Sequence, residues 1–382
     1  MRDWKSRLPT LLDRADKLSD GVRARLRTIT GFSNPLMIVP YLGCGSAEKL
    51  LFGGRVLADE GFTPATSADH TWRNLINMYR RFESDEVPGA RVRATFQGNH
   101  SEATADEEGY FHFAIQPMQR LDANRWQNVE LELLEPSSDT ASPVRATARV
   151  LVPSAAARFG VISDIDDTVI SSHVTNKLKM ILTVLLSNEH TRKPFEGVAG
   201  FYQALQRGAG GGEDNPIFYV SNSAWNLYSL LVEFLKLQKI PLGPLLLRDF
   251  GDHLLFSKEP EHHKKKNIKI ILESFPHLPF VLIGDSGERD PEIYRDVVKE
   301  YPTRIRTVYI RSVSKQPKRL AAIDKLIEEI RPTGSQLVLA PDSEFAAAHA
   351  AAEGLIATDF LKTVRAEKNK DQSAPTQQAI TP

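Results

Sequence analysis

The sequence predicts an α/β protein: a Rossmann-like parallel sheet with helices on both faces and a small cover, preceded by a smaller β-sandwich-like domain. Three observations lead there. Runs of apolar residues alternate with helical stretches from Phe159 onward, short period-two runs separated by turn residues fill the region before it, and carboxylates close the apolar runs of the second half. Continuous apolar strands interleaved with helices mean a parallel sheet covered on both faces. Short alternating strands divided by turn chemistry mean an antiparallel sandwich.

Composition sets the outer limits. At 382 residues the chain exceeds the roughly 250–300 that one hydrophobic core serves, so two domains are expected. With 41% hydrophobic and 25% charged residues, chain-wide disorder is excluded. Lys and Arg number 48 against 48 Asp and Glu, which argues against a chain built to neutralise nucleic-acid phosphates. The single cysteine, Cys44, rules out an intramolecular disulfide and a multi-cysteine zinc site, and fits a reducing compartment. The first residues, Met1 to Lys5, mix charges and lack the apolar core of a secretion signal. No apolar run reaches the ~18 residues of a membrane-spanning helix. The expectation is a cytoplasmic protein, peripheral on membranes at most.

In chain order, residues 1–33 read as an amphipathic helical segment rich in Arg, Leu and Asp. Residues 34–152 form the β-rich accessory domain. Leu36–Val39 is a short apolar run before Pro40, and Gly43, Gly45, Gly53 and Gly54 punctuate the stretch after it. Gly89–Phe96, Tyr110–Ile115, Val129–Leu133 and Val144–Val152 alternate with period two, the half-buried strand pattern. Pro153–Ala157 reads as the linker into a second domain over residues 153–365. There the strands are Phe159–Ser163, Ile217–Val220, Pro279–Ile283 and Arg304–Ile310, and the helices include Trp225–Leu237, Lys264–Phe275 and Pro291–Tyr301. Ser343 to Lys368 is Ala-rich and helical with a break at Gly354, and residues 366–382 read as a disordered tail.

Ligands of open α/β sheets bind outside the carboxyl ends of the strands, so the residues ending each strand carry the chemistry. The first strand runs into Asp164-Ile165-Asp166-Asp167-Thr168, whose three carboxylates repel one another and call for a cation. Hard oxygen ligands at this spacing suit Mg²⁺, which takes one or two protein carboxylates plus substrate phosphate. The next strand ends in Ser221-Asn222-Ser223, a hydroxyl followed by a helix N-terminus that offers donors to an anionic oxygen. A helix then opens with His263-Lys264-Lys265-Lys266, and a further strand ends in Gly284-Asp285-Ser286-Gly287-Glu288-Arg289-Asp290. An acidic nest, a hydroxyl, an ammonium and a second acidic loop suit phosphoryl transfer, where positioning and charge neutralisation supply most of the catalysis.

This ordered set resembles the haloacid-dehalogenase superfamily of phosphatases, over roughly Phe159 to Ile310. The longer strings Asp-Ile-Asp-Asp-Thr, Tyr-Val-Ser-Asn-Ser-Ala-Trp-Asn-Leu-Tyr and Gly-Asp-Ser-Gly-Glu-Arg-Asp-Pro-Glu-Ile-Tyr narrow it. They are similar to the catalytic domain of the actin-patch-type phosphatidate phosphatases and their bacterial relatives. The resemblance implies that Asp164 attacks phosphorus and that Asp166 is the general acid and then base. It further implies that Mg²⁺ is held by Asp164, the main-chain carbonyl of Asp166 and Asp285, with Asp290 supporting through water. Ser221, Asn222 and Lys264 take the phosphoryl oxygens. Lys264 is chosen among three adjacent lysines because it follows His263 at the start of the helix.

The expected reaction is hydrolysis of a phosphomonoester, phosphatidate to diacylglycerol, at a membrane surface. A soluble sugar or nucleotide phosphate is the alternative substrate class, and a non-catalytic binding module the alternative from another class. The lipid rests on the family likeness alone. One further stretch bears on it: Val174, Leu178, Ile181, Leu182 and Leu185 share a helical stripe between the nucleophile and the second strand. That stripe either packs between domains or lines the site and touches acyl chains.

Overall fold

The computed structural model describes residues 36–58, 86–121, 125–136, 143–165, 197–248, 260–314 and 316–373. The expected helix over 1–33 and the apolar stripe over 174–186 lie outside these residues.

Among the described residues, the N-terminal half is a sheet of eight strands: β1 (Leu36–Pro40), β2 (Gly43–Gly45), β3 (Leu50–Ala58), β4 (Arg91–Phe96), β5 (Asn99–Thr104), β6 (Tyr110–Ile115), β7 (Trp126–Glu135) and β8 (Arg145–Leu151). Its order is β1-β3-β2-β8-β7-β4-β5, with β6 paired to β3. Every pairing is antiparallel except β2 with β8. The alternation read from the sequence is the observed burial: Val92 and Ala94 of β4 and Val129 and Leu131 of β7 point into the core.

Three strands differ from the expectation, the first being the short β2, formed by Gly43 to Gly45 where punctuation was expected. In β3 the predicted punctuation at Gly53 and Gly54 is instead part of a strand buried along most of its length. A Cβ on Gly54 would press into the Phe111 ring, so glycine here permits close approach of β6 rather than a turn. The exposed strand β5, Asn-His-Ser-Glu-Ala-Thr, carries no apolar alternation. It pairs with β4 through a hairpin at Gln97 and Gly98, both at positive φ (51° and 80°).

Among the described residues, the second half is a six-stranded parallel sheet: β9 (Gly160–Asp164), β10 (Ile217–Ala224), β11 (Leu245–Arg248), β12 (Phe280–Asp285), β13 (Ile305–Arg311) and β14 (Gln336–Ala340). The order is β11-β10-β9-β12-β13-β14, the third, second, first, fourth, fifth and sixth strands of a doubly wound fold. Between them lie α1 (Val198–Arg207), α2 (Tyr228–Leu237), α3 (Pro260–Ser274), α4 (Asp290–Glu300) and α5 (Pro317–Ile330), followed by α6 (Ser343–Ala352) and α7 (Phe360–Ser373). Neighbouring residues of one strand face opposite cores. Val161, Tyr219 and Ile283 pack with α1, α2 and α6, whereas Ile162, Phe218 and Leu282 pack with α3, α4 and α5. The break expected at Gly354 falls between α6 and α7, with φ +65°, and α7 continues to Ser373 past the boundary expected at 365.

The two sheets are joined through side chains. Tyr41, just after β1, stacks on Trp225 with centroids 4.5 Å apart and tilts against Tyr228 at 4.3 Å. The Leu42 N–H donates to the Tyr228 hydroxyl at 2.6 Å. Arg125 pairs with Asp214 across the same junction, and Leu151 at the end of β8 packs into the core under α3 and α4.

Candidate active site

In the parallel sheet the connections run outward in opposite directions from β9 and β12, which lie side by side with Ile283 opposite Ser163. Their carboxyl ends therefore flank a switch point, where such sheets bind ligands. Asp164 is the last residue of β9 and Asp285 the last of β12, and both are buried. The main chain beneath Asp164 is held by a short relay: the Ser163 hydroxyl donates to the Asp164 carbonyl at 2.9 Å and contacts the Tyr202 hydroxyl at 2.6 Å.

Lys264 bridges the end of β9 and the loop that follows β12. It sits in the second turn of α3, which begins at Pro260 rather than at the lysines as expected. Its ammonium lies 2.9 Å from Asp164 Oδ1, 2.6 Å from Asp290 Oδ1 and 3.1 Å from Glu288 Oε2, with the side chain 1% exposed. Burial by itself would lower its pKa. The carboxylates of Asp164 and Asp290, with Glu288 behind them, outweigh that and hold the ammonium well above its ordinary value. Among the three lysines the structure separates roles by burial: Lys265 pairs with the half-exposed Glu300, and Lys266 is exposed.

The loop from Gly284 to Asp290 turns β12 into α4. Asp290, the first residue of α4, spends both oxygens inside the protein: Oδ1 on Lys264 and Oδ2 as acceptor for the Asp285 N–H at 3.2 Å. That contact requires Gly284, because a Cβ there would collide with the Asp290 carboxylate and stand 2.8 Å from its Cβ. Asp285 Oδ1 accepts from the N–H groups of Gly287 at 2.6 Å and Glu288 at 3.1 Å. Its Oδ2 is buried with no hydrogen-bond partner among the described residues. Burial first, and the Asp164 charge second, raise the Asp285 carboxyl above its usual range. Burial likewise pushes Asp290 well above it, with Lys264 opposing and Asp164 adding.

Ser221 and Asn222 differ from their expected setting. β10 does not end at Val220 but continues to Ala224, with a register irregularity against β11 after Val220. Val220 pairs with Asp164, so Ser221 stands one step beyond the level of Asp164 on the adjacent strand. Ser221 is fully buried, and its hydroxyl accepts from the Ser223 N–H at 2.9 Å instead of capping the following helix. Asn222 is half-buried beside it.

Asp164, Lys264 and Asp290 are thus brought into contact, Asp285 closes the neighbouring strand, and Ser221 and Asn222 lie at the same edge. Asp166, the expected general acid, lies outside the described residues, as do Asp167 and Thr168. Glu288 belongs to the site although the strand-end reading passed over it: Asp164, Glu288 and Asp290 offer carboxylate oxygens within 4.8 Å of one another. Its signal was its place in the same Gly-Asp-x-x-Glu-x-Asp loop as Asp285 and Asp290. Among the described residues of this edge, carboxylates outnumber the buried ammonium, and one carboxylate oxygen of Asp285 is left without a donor. This donor set fits a hard divalent cation such as Mg²⁺.

Fold and site together define a doubly wound α/β domain with an acidic, lysine-bridged centre at its switch point. Its sequence is more specific: residues 159–312 match the family described as phosphatidate phosphatase APP1, catalytic domain. The phosphatidate phosphatase APP1 of Saccharomyces cerevisiae is 32% identical over 158 residues, 41% of this chain and 26% of the yeast protein. An uncharacterized protein of Schizosaccharomyces pombe is 26% identical over 250 residues, 63% of this chain and 40% of that protein. The chain therefore spans less than half the length of either relative. The resemblance read from the motifs is borne out over residues 159–312. Among solved structures, a PilB minor pilin from Streptococcus sanguinis overlaps with a TM-score of 0.26 at 9% identity over 76% of this chain and 89% of that one, too loosely to inform the fold.

Proposed function

We propose that this chain is a Mg²⁺-dependent, haloacid-dehalogenase-like phosphatase that hydrolyses phosphatidate to diacylglycerol and phosphate. The observation that carries it is the contact of Lys264 with Asp164 at the end of β9, beside the acidic loop that follows β12. The family match over residues 159–312 supports the substrate class.

In this reading a carboxylate oxygen of Asp164 attacks phosphorus, and the bond from phosphorus to the glycerol oxygen breaks. Asp166 gives its proton to the departing alkoxide. Water then attacks the aspartyl phosphate, its proton passes to Asp166, and the bond to Asp164 breaks to release phosphate. Lys264 holds Asp164 and neutralises phosphoryl oxygens, while Ser221 and Asn222 supply further polar contacts from β10. Mg²⁺ held by Asp164, the carbonyl of Asp166 and Asp285 would draw charge from the transferring phosphoryl group. Asp290, with both oxygens already engaged, orients Lys264 and the Asp285 backbone and reaches a cation only through water. Among the described residues no helix is long and apolar enough to cross a membrane. The proposal has the chain in the cytoplasm, meeting its lipid at a membrane surface.

The test is phosphate release from phosphatidate in mixed micelles against a panel of soluble sugar and nucleotide monophosphates, with Mg²⁺ and with EDTA. Mg²⁺-dependent release from phosphatidate, absent in Asp164→Asn that still folds by circular dichroism, is the expected result. Preference for a soluble monoester would move the substrate, and no release from any monoester would leave a binding module.

A further inference from the structure

The loop that carries Asp285 and Asp290 is gripped from outside the matched domain. Arg319, in the first turn of α5, donates from Nε to the Ser286 carbonyl at 2.9 Å and from Nη2 to the Glu288 carbonyl at 2.6 Å. The same guanidinium pairs with both carboxylate oxygens of Glu292 in the first turn of α4, one of them at 3.0 Å from Nη2. A second tie runs alongside: the Ser286 hydroxyl accepts from the N–H groups of Val313 and Ser314, each at 2.9 Å.

One of these contacts reaches the site through a single peptide unit. The carbonyl of Ser286 and the N–H of Gly287 belong to the same planar group and point in opposite directions. Arg319 holds the carbonyl end, and the N–H end donates to Asp285 Oδ1 at 2.6 Å. With Oδ1 so engaged, the plane of the Asp285 carboxylate is set, and Oδ2 is left buried and free of donors among the described residues. A lysine could supply the charge at position 319 but not the planar fork that spans two carbonyls and a carboxylate.

We infer that Arg319 is a positioning residue that sets the affinity of Asp285 for the divalent cation. The inference rests on the reading of this edge as a cation-dependent phosphatase centre. Partners that orient ligating groups typically alter metal affinity by roughly 10–100-fold when removed.

The experiment is Mg²⁺ titration of the full chain by isothermal calorimetry for wild type, Arg319→Lys and Glu292→Gln. Arg295→Lys serves as control, since its ion pair with Glu329 joins α4 to the last turn of α5, at the opposite end of that helix from Arg319. Melting temperatures in EDTA are recorded for all four. Arg319→Lys is expected to bind Mg²⁺ about 10–100-fold more weakly, with melting in EDTA like that of the control and turnover recovered at saturating Mg²⁺. Glu292→Gln, which keeps the arginine but loosens its anchor, should shift the same way by less. Unchanged Mg²⁺ affinity in both variants overturns the inference, including where only the melting temperature falls. No Mg²⁺ binding by wild type overturns the site reading itself, and this inference with it.

Discussion

Lys264 Nζ lies 2.9 Å from Asp164 Oδ1 and 2.6 Å from Asp290 Oδ1, so a single buried ammonium ties the end of β9 to the start of α4. The three groups come from separate elements of the chain, and their side chains are at most 1% exposed. A charge cluster this dry holds only while its partners are complete.

Lys264→Met tests that directly. Removing the ammonium leaves Asp164 and Asp290 buried without their cation, which should cost roughly 3–5 kcal/mol of stability. Urea denaturation in EDTA measures it. A loss below about 1 kcal/mol, the scale of an exposed pair, would mean that Lys264 does not hold the cluster together.

Gly284→Ala perturbs the same cluster through shape alone. The added Cβ would meet the Asp290 carboxylate, forcing it off Lys264 and off the Asp285 N–H. Overpacking of this kind costs about 1–3 kcal/mol, and phosphate release should fall with it. Denaturation and turnover measured together give the check; wild-type values for both would contradict the close approach.

Tyr41→Ala probes the junction of the two sheets. Tyr41 is buried against Trp225 and Tyr228, and losing a buried aromatic ring costs roughly 3–5 kcal/mol. A drop of that size in global unfolding, with the near-ultraviolet dichroism of the aromatic cluster diminished, is expected. Two separate transitions with the second unshifted would show that the parallel sheet does not depend on this contact.

Asp342 links α6 to α7. Its side chain accepts from the Phe345 N–H at 2.8 Å, capping α6, and pairs with Lys368 at 2.7 Å. Burial would raise its pKa, but the Lys368 ammonium and the Phe345 N–H outweigh that and hold it below its usual value. A depressed carboxyl contributes stability above its unfolded pKa of about 3.9 and loses it as the pH falls through the lower folded value. Asp342→Ala should therefore cost about 1 kcal/mol at neutral pH, and the difference from wild type should shrink as the pH drops below about 4. A gap that is the same at pH 3 and pH 7 would remove the charged cap.

Residue order alone was enough for four strands of the parallel sheet, β9, β10, β12 and β13, and for the carboxylates at its edge. A strand buried on both faces must be apolar throughout, so the polar residue that ends it stands out, as Asp164 does after Phe159–Ser163 and Asp285 after Phe280–Gly284. Period-two alternation likewise marked β4, β6, β7 and β8, because one face of each is wet. Strand β5 escaped it, since both its faces are polar and only the hairpin turn makes it a strand.

Which of Lys264, Lys265 and Lys266 serves the site was a tertiary matter: identical side chains about 100° apart around a helix differ only in what they face. Packing of α3 against the sheet buries the first and leaves its neighbours to Glu300 and solvent. Arg319 was decided the same way, because its partners Ser286, Glu288 and Glu292 are distant in the chain and no local spacing encodes those contacts.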